Sequence, residues 1–472
     1  MEEVKILAKF MLIVALGILA IICLFSIATE AQKNRQSPNK DIRQSNYFYR
    51  HMYSFTSSKR LIFLFKSFFL SITAYFVFQN LLEWQSLLKS VDYIDFNAFY
   101  VASKMAVKGV NPYYAENYMG YFHFPFLYLP NILPLITPLS FFERDLSAKI
   151  FFFFNLFSLF TLLAGVLVLL KSKSRVYQTA LIIACLLIFG LTWSLRMGQL
   201  TVILASTITW AIIFAKKNQN VPAGILLGIS TIKPTLVILF LLYFLIKKRF
   251  SLIGWWLVTS LALTLIGFLM IQDSVTNFLQ LYKSGYDLAF SMFWNSPYTS
   301  PTRIDVEVIG ARLFSNNWSL AKLTSVILQL SPIIFAFRQF YIQQVKSNWC
   351  TKIHLSDISL LACISVFAFY SQSYSSSILV LVIPFLFNYL SHEILNKDVS
   401  QVKIFAWSLS VFCLLLLSHV SYFFFNYIYL GFENETYFVK TTFALIPSYA
   451  LLGLTVSLCV LIRQKSLVNK SL

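Results

Sequence analysis

The sequence predicts an all-α polytopic membrane protein, on the grounds of its composition, its long apolar runs and the placement of its basic residues. Of its 472 residues, 58% are hydrophobic and 12% are charged, and the mean hydropathy is +0.70. This is too little charge to cover the surface of a water-soluble globule of this size. Apolar runs of about 20 residues, the length that crosses about 30 Å of hydrocarbon, recur along the whole chain.

The apolar runs predict about eleven membrane crossings. They are expected at residues 5–28, 61–83, 147–170, 177–194, 200–215, 251–271, 320–340, 355–371, 374–392, 403–425 and 441–462. Three regions follow: an extra N-terminal helix with a basic loop (1–60), a central module (61–250) and a C-terminal transmembrane region (251–472). Ser26 and Ala28 stand where a signal peptidase would cut, but the acidic start of the chain favours a retained first helix.

The basic residues indicate how the chain is oriented. The formal net charge of +19 is divided among short clusters between apolar runs, which favours topology signals over a nucleic-acid site. Short loops rich in Lys and Arg stay on the cytoplasmic side, and such clusters begin at Lys33, Lys171 and Arg463. We therefore expect a cell-membrane protein, surrounded by membrane lipids, with its N-terminus outside and its C-terminus in the cytoplasm.

One apolar stretch, residues 221–246, does not fit a single crossing. Lys216 precedes it and the cluster Lys247 to Arg249 follows it, so one crossing would place a basic cluster outside. A break at Ile232-Lys233-Pro234 would divide the stretch into two half-helices and return the chain to the cytoplasm, because proline lacks an N–H and disfavours helix at the preceding residue. Half-helices at membrane depth normally line a cavity.

The six cysteines include no CxxC pair, and most lie in or beside apolar segments, so they are expected to be lipid-facing or core residues. No cluster with metal-ligand spacing occurs in the sequence, and neither a metal nor another cofactor is implied.

The segment between the second and third predicted spans, residues 84–149, is the least lipid-like part of the N-terminal half. Asp95 is expected to cap a helix from Phe96 to Lys108 that Gly109 ends. Its apolar residues predict an amphipathic helix on the outer leaflet. Asp95 either only caps this helix or also acts in catalysis, and these roles are compatible. Nearby Asp92 is either a second candidate or a solvated loop acid.

Several short motifs occur in an order that resembles glycosyltransferase family 87, the polyprenol-phosphate-mannose-dependent mannosyltransferases of the GT-C type. The motifs are Asp95-Phe96-x-x-Phe99-Tyr100, Gly109-x-Asn111-Pro112-Tyr113, Gly198-Gln199, and Ala223-Gly224 through Gly228 to Lys233-Pro234. The resemblance covers residues 61–250 well and makes them a GT-C-like catalytic module. Three features depart from the family pattern: Leu200-Thr201 replaces Val-Asn after the Gly-Gln pair, Phe126 replaces a second proline, and residues 371–376 lack the expected histidine.

The resemblance implies an extracytoplasmic, inverting transfer of a hexosyl group, mannose first, from a polyprenyl-phosphate sugar to a lipid or glycan acceptor. A lipid phosphate is already a good leaving group, so one carboxylate base and one cation would suffice, whereas glycosidases need two carboxyl groups. We assign Asp95 as the general base, as the resemblance also implies.

Lys233 is the first candidate for holding the donor phosphate, since a charged Lys at membrane depth should have a partner. The alternative is that it reaches an interface or pairs with an acid. Gln199 either binds a sugar hydroxyl or faces water as an interfacial amide. Arg303 and Asp305 either bind the donor or form a local ion-paired turn. The remaining candidates on the outer side are Arg196, Tyr100, Asn111, Tyr113 and His123.

Two other functional classes share parts of this pattern. A lipid-linked saccharide transporter or flippase would also have broken helices and buried charge, but such folds tend to contain internal repeats, and none is visible. An outer-leaflet glycan polymerase or ligase would have a similar topology.

Overall fold

A computed structural model describes residues 94–114, 125–170, 175–293, 295–300, 302–346, 351–390, 401–417 and 437–468. The first two predicted spans, the basic loop between them, Asp92 and His123 lie outside the described residues. By its contacts the chain divides into two compact units, residues 1–86 with 386–405, and residues 87–385 with 406–472. The site described below lies within the second unit.

The regular structure of the described ranges is helical. In the N-terminal part the α-helices are α1 (Ile94–Val107), α2 (Leu133–Ile136), α3 (Arg144–Leu169), α4 (Arg175–Leu186), α5 (Phe189–Met197), α6 (Thr201–Lys216), α7 (Asn220–Ser230), α8 (Pro234–Ile246) and α9 (Phe250–Ile271). They continue with α10 (Val275–Ser291), α11 (Val306–Leu313), α12 (Trp318–Lys346), α13 (Leu355–Ala368), α14 (Val382–Tyr389), α15 (Gln401–Leu416) and α16 (Tyr437–Val468). Short 3₁₀ helices occupy Pro130–Ile132, Thr137–Phe141 and Ser373–Leu381.

Four helices in the described ranges are long and apolar enough to cross a membrane. They are Arg144–Leu169, Phe250–Ile271, Trp318–Val345 and Leu445–Ile462. Their outer faces remain apolar: in α9, Leu261 is 59% exposed and Leu265 is 63% exposed. Such a surface is suited to lipid and would be an aggregation liability in water.

Other predicted spans are interrupted in the structure. The stretch 177–194 is divided into α4 and α5 by a break at residues 187–188. The described part of the stretch 374–392, which ends at residue 390, contains a 3₁₀ helix followed by α14. Gly190, just after the first interruption, packs closely on the 3₁₀ helix, since a Cβ there would clash with Ser376 and Ser377. Hydropathy identifies an apolar stretch correctly, but it does not show whether that stretch forms one continuous helix. The prediction of eleven full crossings is therefore supported only in part.

The predicted break in residues 221–246 is confirmed. Helix α7 ends at Ser230 and α8 begins at Pro234, while Lys233 has non-helical backbone angles, φ −121° and ψ 82°. Within the break, Thr231 accepts a hydrogen bond from the indole N–H of Trp256, at 2.9 Å. Whether the second half-helix returns to the cytoplasmic side stays a prediction.

The glycines of this segment have a packing role. A Cβ on Gly224 would lie 2.5 Å from the carbonyl oxygen of Leu252, and one on Gly228 would lie 2.5 Å from the Cβ of Thr259. The two glycines therefore let α7 approach α9 closely, as small residues four apart do in membrane helix pairs. This contact holds α7, and so the break that follows it, against a candidate membrane span.

Candidate active site

Asp95 lies in the first turn of α1, one residue after the helix begins at Ile94, and not at the N-cap position that we expected. The helix ends as predicted, since Gly109 follows it with a left-handed φ of +70°. Phe96 and Phe99 are fully buried, and the Phe96 ring lies 5.1 Å from that of Phe151 in α3. Protein therefore covers the apolar face of α1 near Phe96 and Phe99, while Val107 at the end of the helix is 49% exposed. The position of this helix on the outer leaflet stays a prediction.

Gln199 reaches Asp95 because of the conformation of the residue before it. Gly198 has a left-handed φ of +68° and ends α5, which turns the chain so that the Gln199 side chain points inward and is only 3% exposed. Its side chain donates a hydrogen bond to Asp95. Its oxygen Oε1 accepts a hydrogen bond from the hydroxyl of Tyr128, at 2.9 Å. The interfacial, water-facing amide is therefore not observed.

Lys233 comes to the same site from the break between α7 and α8. Its Nζ donates to the hydroxyl of Ser375 at 2.7 Å and lies 4.6 Å from the centre of the Tyr374 ring, a cation–π contact. Lys233 and Asp95 also interact electrostatically. These contacts hold the Lys233 side chain beside the carboxylate of Asp95, which is the pairing with an acid that the sequence left as an alternative.

Asp95 has the electrostatic character of a base. Burial raises the pKa of the Asp95 carboxyl from 3.8 to about 6, while the hydrogen bond from Gln199 and the positive charge of Lys233 act in the opposite direction. The side chain is half-buried, so it is desolvated but still accessible. A base with a pKa near neutral is suited to accept a proton.

Arg303 and Asp305 form the ion-paired turn that the sequence left as an alternative. The fully buried Arg303 donates to both carboxylate oxygens of Asp305, at 2.9 Å and 2.7 Å, and to Glu307 at 2.6 Å. Its guanidinium also makes cation–π contacts with the adjacent rings of Phe290 and Tyr370, 5.2 Å and 4.9 Å from their centres. These contacts give the pair a structural role.

The turn is attached to the segment that contacts Lys233. Asp305 accepts a hydrogen bond from the backbone N–H of Ser371 at 3.1 Å, and the backbone N–H of Ser373 donates to Thr302 at 2.9 Å. Because Tyr374 and Ser375 follow directly, the turn positions both contacts of Lys233.

The remaining candidates lie at the margins of this site. Tyr100 donates to the carbonyl oxygen of Phe142 at 2.9 Å, and the exposed Arg196 stacks on Trp193 at 5.4 Å. Asn111 donates to Asp273 at 2.7 Å. These residues are supporting contacts in the structure and do not reach Asp95 through any of these bonds.

Tyr113 supports the site indirectly. Its hydroxyl donates to the backbone carbonyl of Tyr128 at 2.6 Å, and its own backbone N–H donates to the side chain of Asn111 at 2.9 Å. The Asn-Pro-Tyr turn thus anchors the segment from which Tyr128 reaches Gln199.

Sequence reasoning missed Tyr128, Tyr374 and Ser375. Tyr128 lies two residues after Phe126, which replaces a proline of the family pattern, and Tyr374 and Ser375 lie in residues 371–376, where a histidine was expected. Within the part of the chain that the structure describes, no three His, Cys, Asp or Glu side chains are grouped so as to hold a metal ion. The sequence-based expectation of a metal-independent site stays a prediction.

The comparison with known proteins identifies one family. The model of glycosyltransferase family 87 matches residues 126–362, half of the chain. This match includes Tyr128, Gln199 and Lys233, whereas Asp95 precedes it. No curated protein and no solved structure shows significant similarity to the chain.

Proposed function

The chain belongs to glycosyltransferase family 87 and is thus a membrane glycosyltransferase, and on that premise we propose that it transfers a hexosyl group from a polyprenyl-phosphate sugar, with Asp95 as general base. The observation that supports the proposal most directly is the convergence of three residues from separate helix boundaries. Asp95 is hydrogen-bonded by Gln199 and interacts electrostatically with Lys233. A base beside a cation is the pair that such a transfer needs.

In the proposed step, the oxygen of an acceptor hydroxyl forms a bond to C1 of the donor sugar. The bond between C1 and the phosphate oxygen breaks, and its electron pair leaves with the polyprenyl phosphate. The hydroxyl proton passes to the carboxylate of Asp95. One carboxylate is enough because the phosphate needs no protonation to leave, unlike the sugar alkoxide in a glycosidase. A single displacement inverts the configuration at C1.

Lys233 would hold the donor phosphate and balance the charge that develops on it as C1 departs. Ser375 and Tyr374 support this role because they fix the ammonium group in place before the donor binds. Preorganised charge of this kind needs no rearrangement during the reaction. The membrane location supports a lipid-borne donor, since the bilayer delivers such a substrate to a buried site.

Mannose is the first candidate for the transferred sugar, and a lipid or glycan is the proposed acceptor. We further propose that the protein lies in the cell membrane with its N-terminus and active site outside. A cysteine introduced at Asn117 would test this orientation: it should react with an impermeant thiol reagent in intact cells, and labelling only after lysis would contradict it.

The test uses the full-length protein in native membranes or lipid nanodiscs with radiolabelled polyprenyl-phosphate mannose, glucose or arabinose. The wild type should transfer one of these sugars to an endogenous lipid or glycan. Asp95→Asn should lower the rate about 10²- to 10⁴-fold. Asp145→Asn is the matched control, because its carboxylate is 74% exposed and its ion pair with Arg144, at 3.8 Å, is an exposed one of small energetic value. Full transfer by Asp95→Asn would eliminate Asp95 as the base. Label moved across the membrane without a new glycosidic bond would indicate a transporter.

A further inference from the structure

Tyr128 and Asp95 hydrogen-bond to different atoms of the Gln199 amide. The Tyr128 hydroxyl donates to Oε1 of Gln199 at 2.9 Å, while Gln199 donates to Asp95. A carboxamide accepts at its oxygen and donates at its nitrogen. Occupying the oxygen therefore leaves the N–H group for the carboxylate.

We propose that Tyr128 is a positioning residue for the reaction: it orients the amide of Gln199 so that an N–H, and not the carbonyl oxygen, faces Asp95. This inference rests on the proposed function. If the amide were rotated by 180°, its carbonyl oxygen would face the ionised carboxylate of Asp95. Both groups are hydrogen-bond acceptors, so no hydrogen bond could form between them. Because Gln199 is only 3% exposed, water has little access to compensate for this loss.

Tyr128 is itself held firmly enough for this role. Its backbone carbonyl accepts the hydroxyl of Tyr113 at 2.6 Å, and its ring meets that of Phe99 edge to face, with centres 4.8 Å apart. The preceding carbonyl, of Leu127, accepts the hydroxyl of Tyr282 at 3.0 Å. Two phenols from separate segments thus hold the backbone from which Tyr128 reaches Gln199.

Other titratable groups also face Asp95 and remain in place when only the Tyr128 hydroxyl is removed. Lys233 acts on Asp95 from the break between α7 and α8. Tyr370 and Tyr374 interact with Asp95 electrostatically from the segment after α13. A change in the behaviour of Asp95 in a Tyr128→Phe variant would therefore report on the Gln199 contact.

The experiment measures kcat and KM for the polyprenyl-phosphate sugar against pH in nanodiscs, for the wild type and two Tyr-to-Phe variants. Tyr128→Phe keeps the ring against Phe99 but frees the amide. We expect kcat to fall about tenfold or more, the acidic midpoint of the pH profile to move upward, and KM to change little. Tyr449→Phe is the control, since it removes the hydroxyl of a 40% exposed tyrosine in α16, a helix that contributes none of the site residues described above. Its midpoint should remain that of the wild type.

A double-mutant cycle provides a second test that does not depend on the pH profile. In a Gln199→Leu background, Tyr128→Phe should add little to the loss, because the two residues act as one unit. A fully additive loss, or a Tyr128→Phe midpoint equal to that of Tyr449→Phe, would overturn the positioning role. If Asp95→Asn is inactive in the same preparation, that result leaves the proposed function standing. Full activity of Asp95→Asn would overturn the proposed function itself.

Discussion

Asp95→Asn removes a charge while nearly keeping the size of the side chain. The substitution therefore tests whether the Asp95 carboxylate has a functional or a structural role. Burial raises the pKa of Asp95 from 3.8 to about 6, so the fold tolerates the ionised form less well than the unfolded chain does. At about 1.36 kcal/mol per pH unit, this corresponds to roughly 3 kcal/mol of destabilisation well above pH 6. A residue that served only as a cap would instead stabilise its helix by about 1 kcal/mol.

The sign of the effect fixes the pH window. A carboxyl whose pKa is raised in the folded state binds its proton more tightly there, so stability is retained at low pH and lost as the pH rises. For Asp95 the loss begins near the unfolded value of 3.8 and is complete above about 6. The asparagine variant lacks this loss. It should match the wild type at about pH 4 and be more stable at about pH 7.5.

Thermal unfolding of the purified protein in nanodiscs at both pH values measures this difference, and the transfer assay is run on the same samples. We expect Asp95→Asn to unfold a few degrees higher than the wild type at neutral pH while being inactive. Asp145→Asn, with its exposed carboxylate, should change neither property. A variant that unfolds at a lower temperature than the wild type at neutral pH would refute the reasoning, because it would make Asp95 a stabilising group.

Three other substitutions test the support around the site. Lys233→Met should lower kcat roughly 10²-fold in steady-state assays, whereas wild-type kinetics would exclude a phosphate-holding role. Arg303→Met leaves the buried carboxylate of Asp305 uncompensated and should destabilise the protein by about 3–5 kcal/mol. Glu307→Gln removes a half-exposed partner of Arg303 and should cost about 1 kcal/mol or less. Equal shifts of the unfolding temperature in the two variants would contradict this expectation. Gly228→Ala should lower the free energy of unfolding by about 1–3 kcal/mol, because the added Cβ forces α7 and α9 apart. Gly254→Ala is the control, since its Cβ would meet nothing within 4 Å. Similar unfolding temperatures for the two variants would argue against the close contact.

Local chain chemistry allowed some features to be predicted from the sequence. The break at Lys233 was predictable because Pro234 restricts its neighbour, and the end of α1 was predictable because Gly109 tolerates a left-handed conformation. The apolar face of α1 was also recognised from the sequence, but not that other helices of the protein pack against part of it. Periodicity shows which residues avoid water, but it does not show whether those residues contact lipid or other parts of the protein. By helical spacing Phe96 and Val107 lie on the same face of α1, yet Phe96 is buried by protein and Val107 is 49% exposed.

The contacts of Lys233 could not be predicted in the same way. Lys233 and Ser375 are separated by 142 residues, and no pattern in either segment indicates the other. Tyr128 and Gln199 are separated by 71 residues, and only the positions of the helices bring them together. The ion-paired turn at Arg303 was predictable because its partners are two and four residues away.

The residues of the site share one structural property: each lies where a regular helix begins, ends or changes. Asp95 is in the first turn of α1, Gln199 follows the left-handed Gly198, Lys233 lies in a break and Ser375 is in a 3₁₀ helix. A continuous helix satisfies its own backbone and presents only side chains, so a membrane protein gathers polar groups most readily at interruptions. An interruption needs only a glycine or a proline beside one polar residue. This explains why the family motifs are short, why each is unspecific alone, and why their order along the chain is informative.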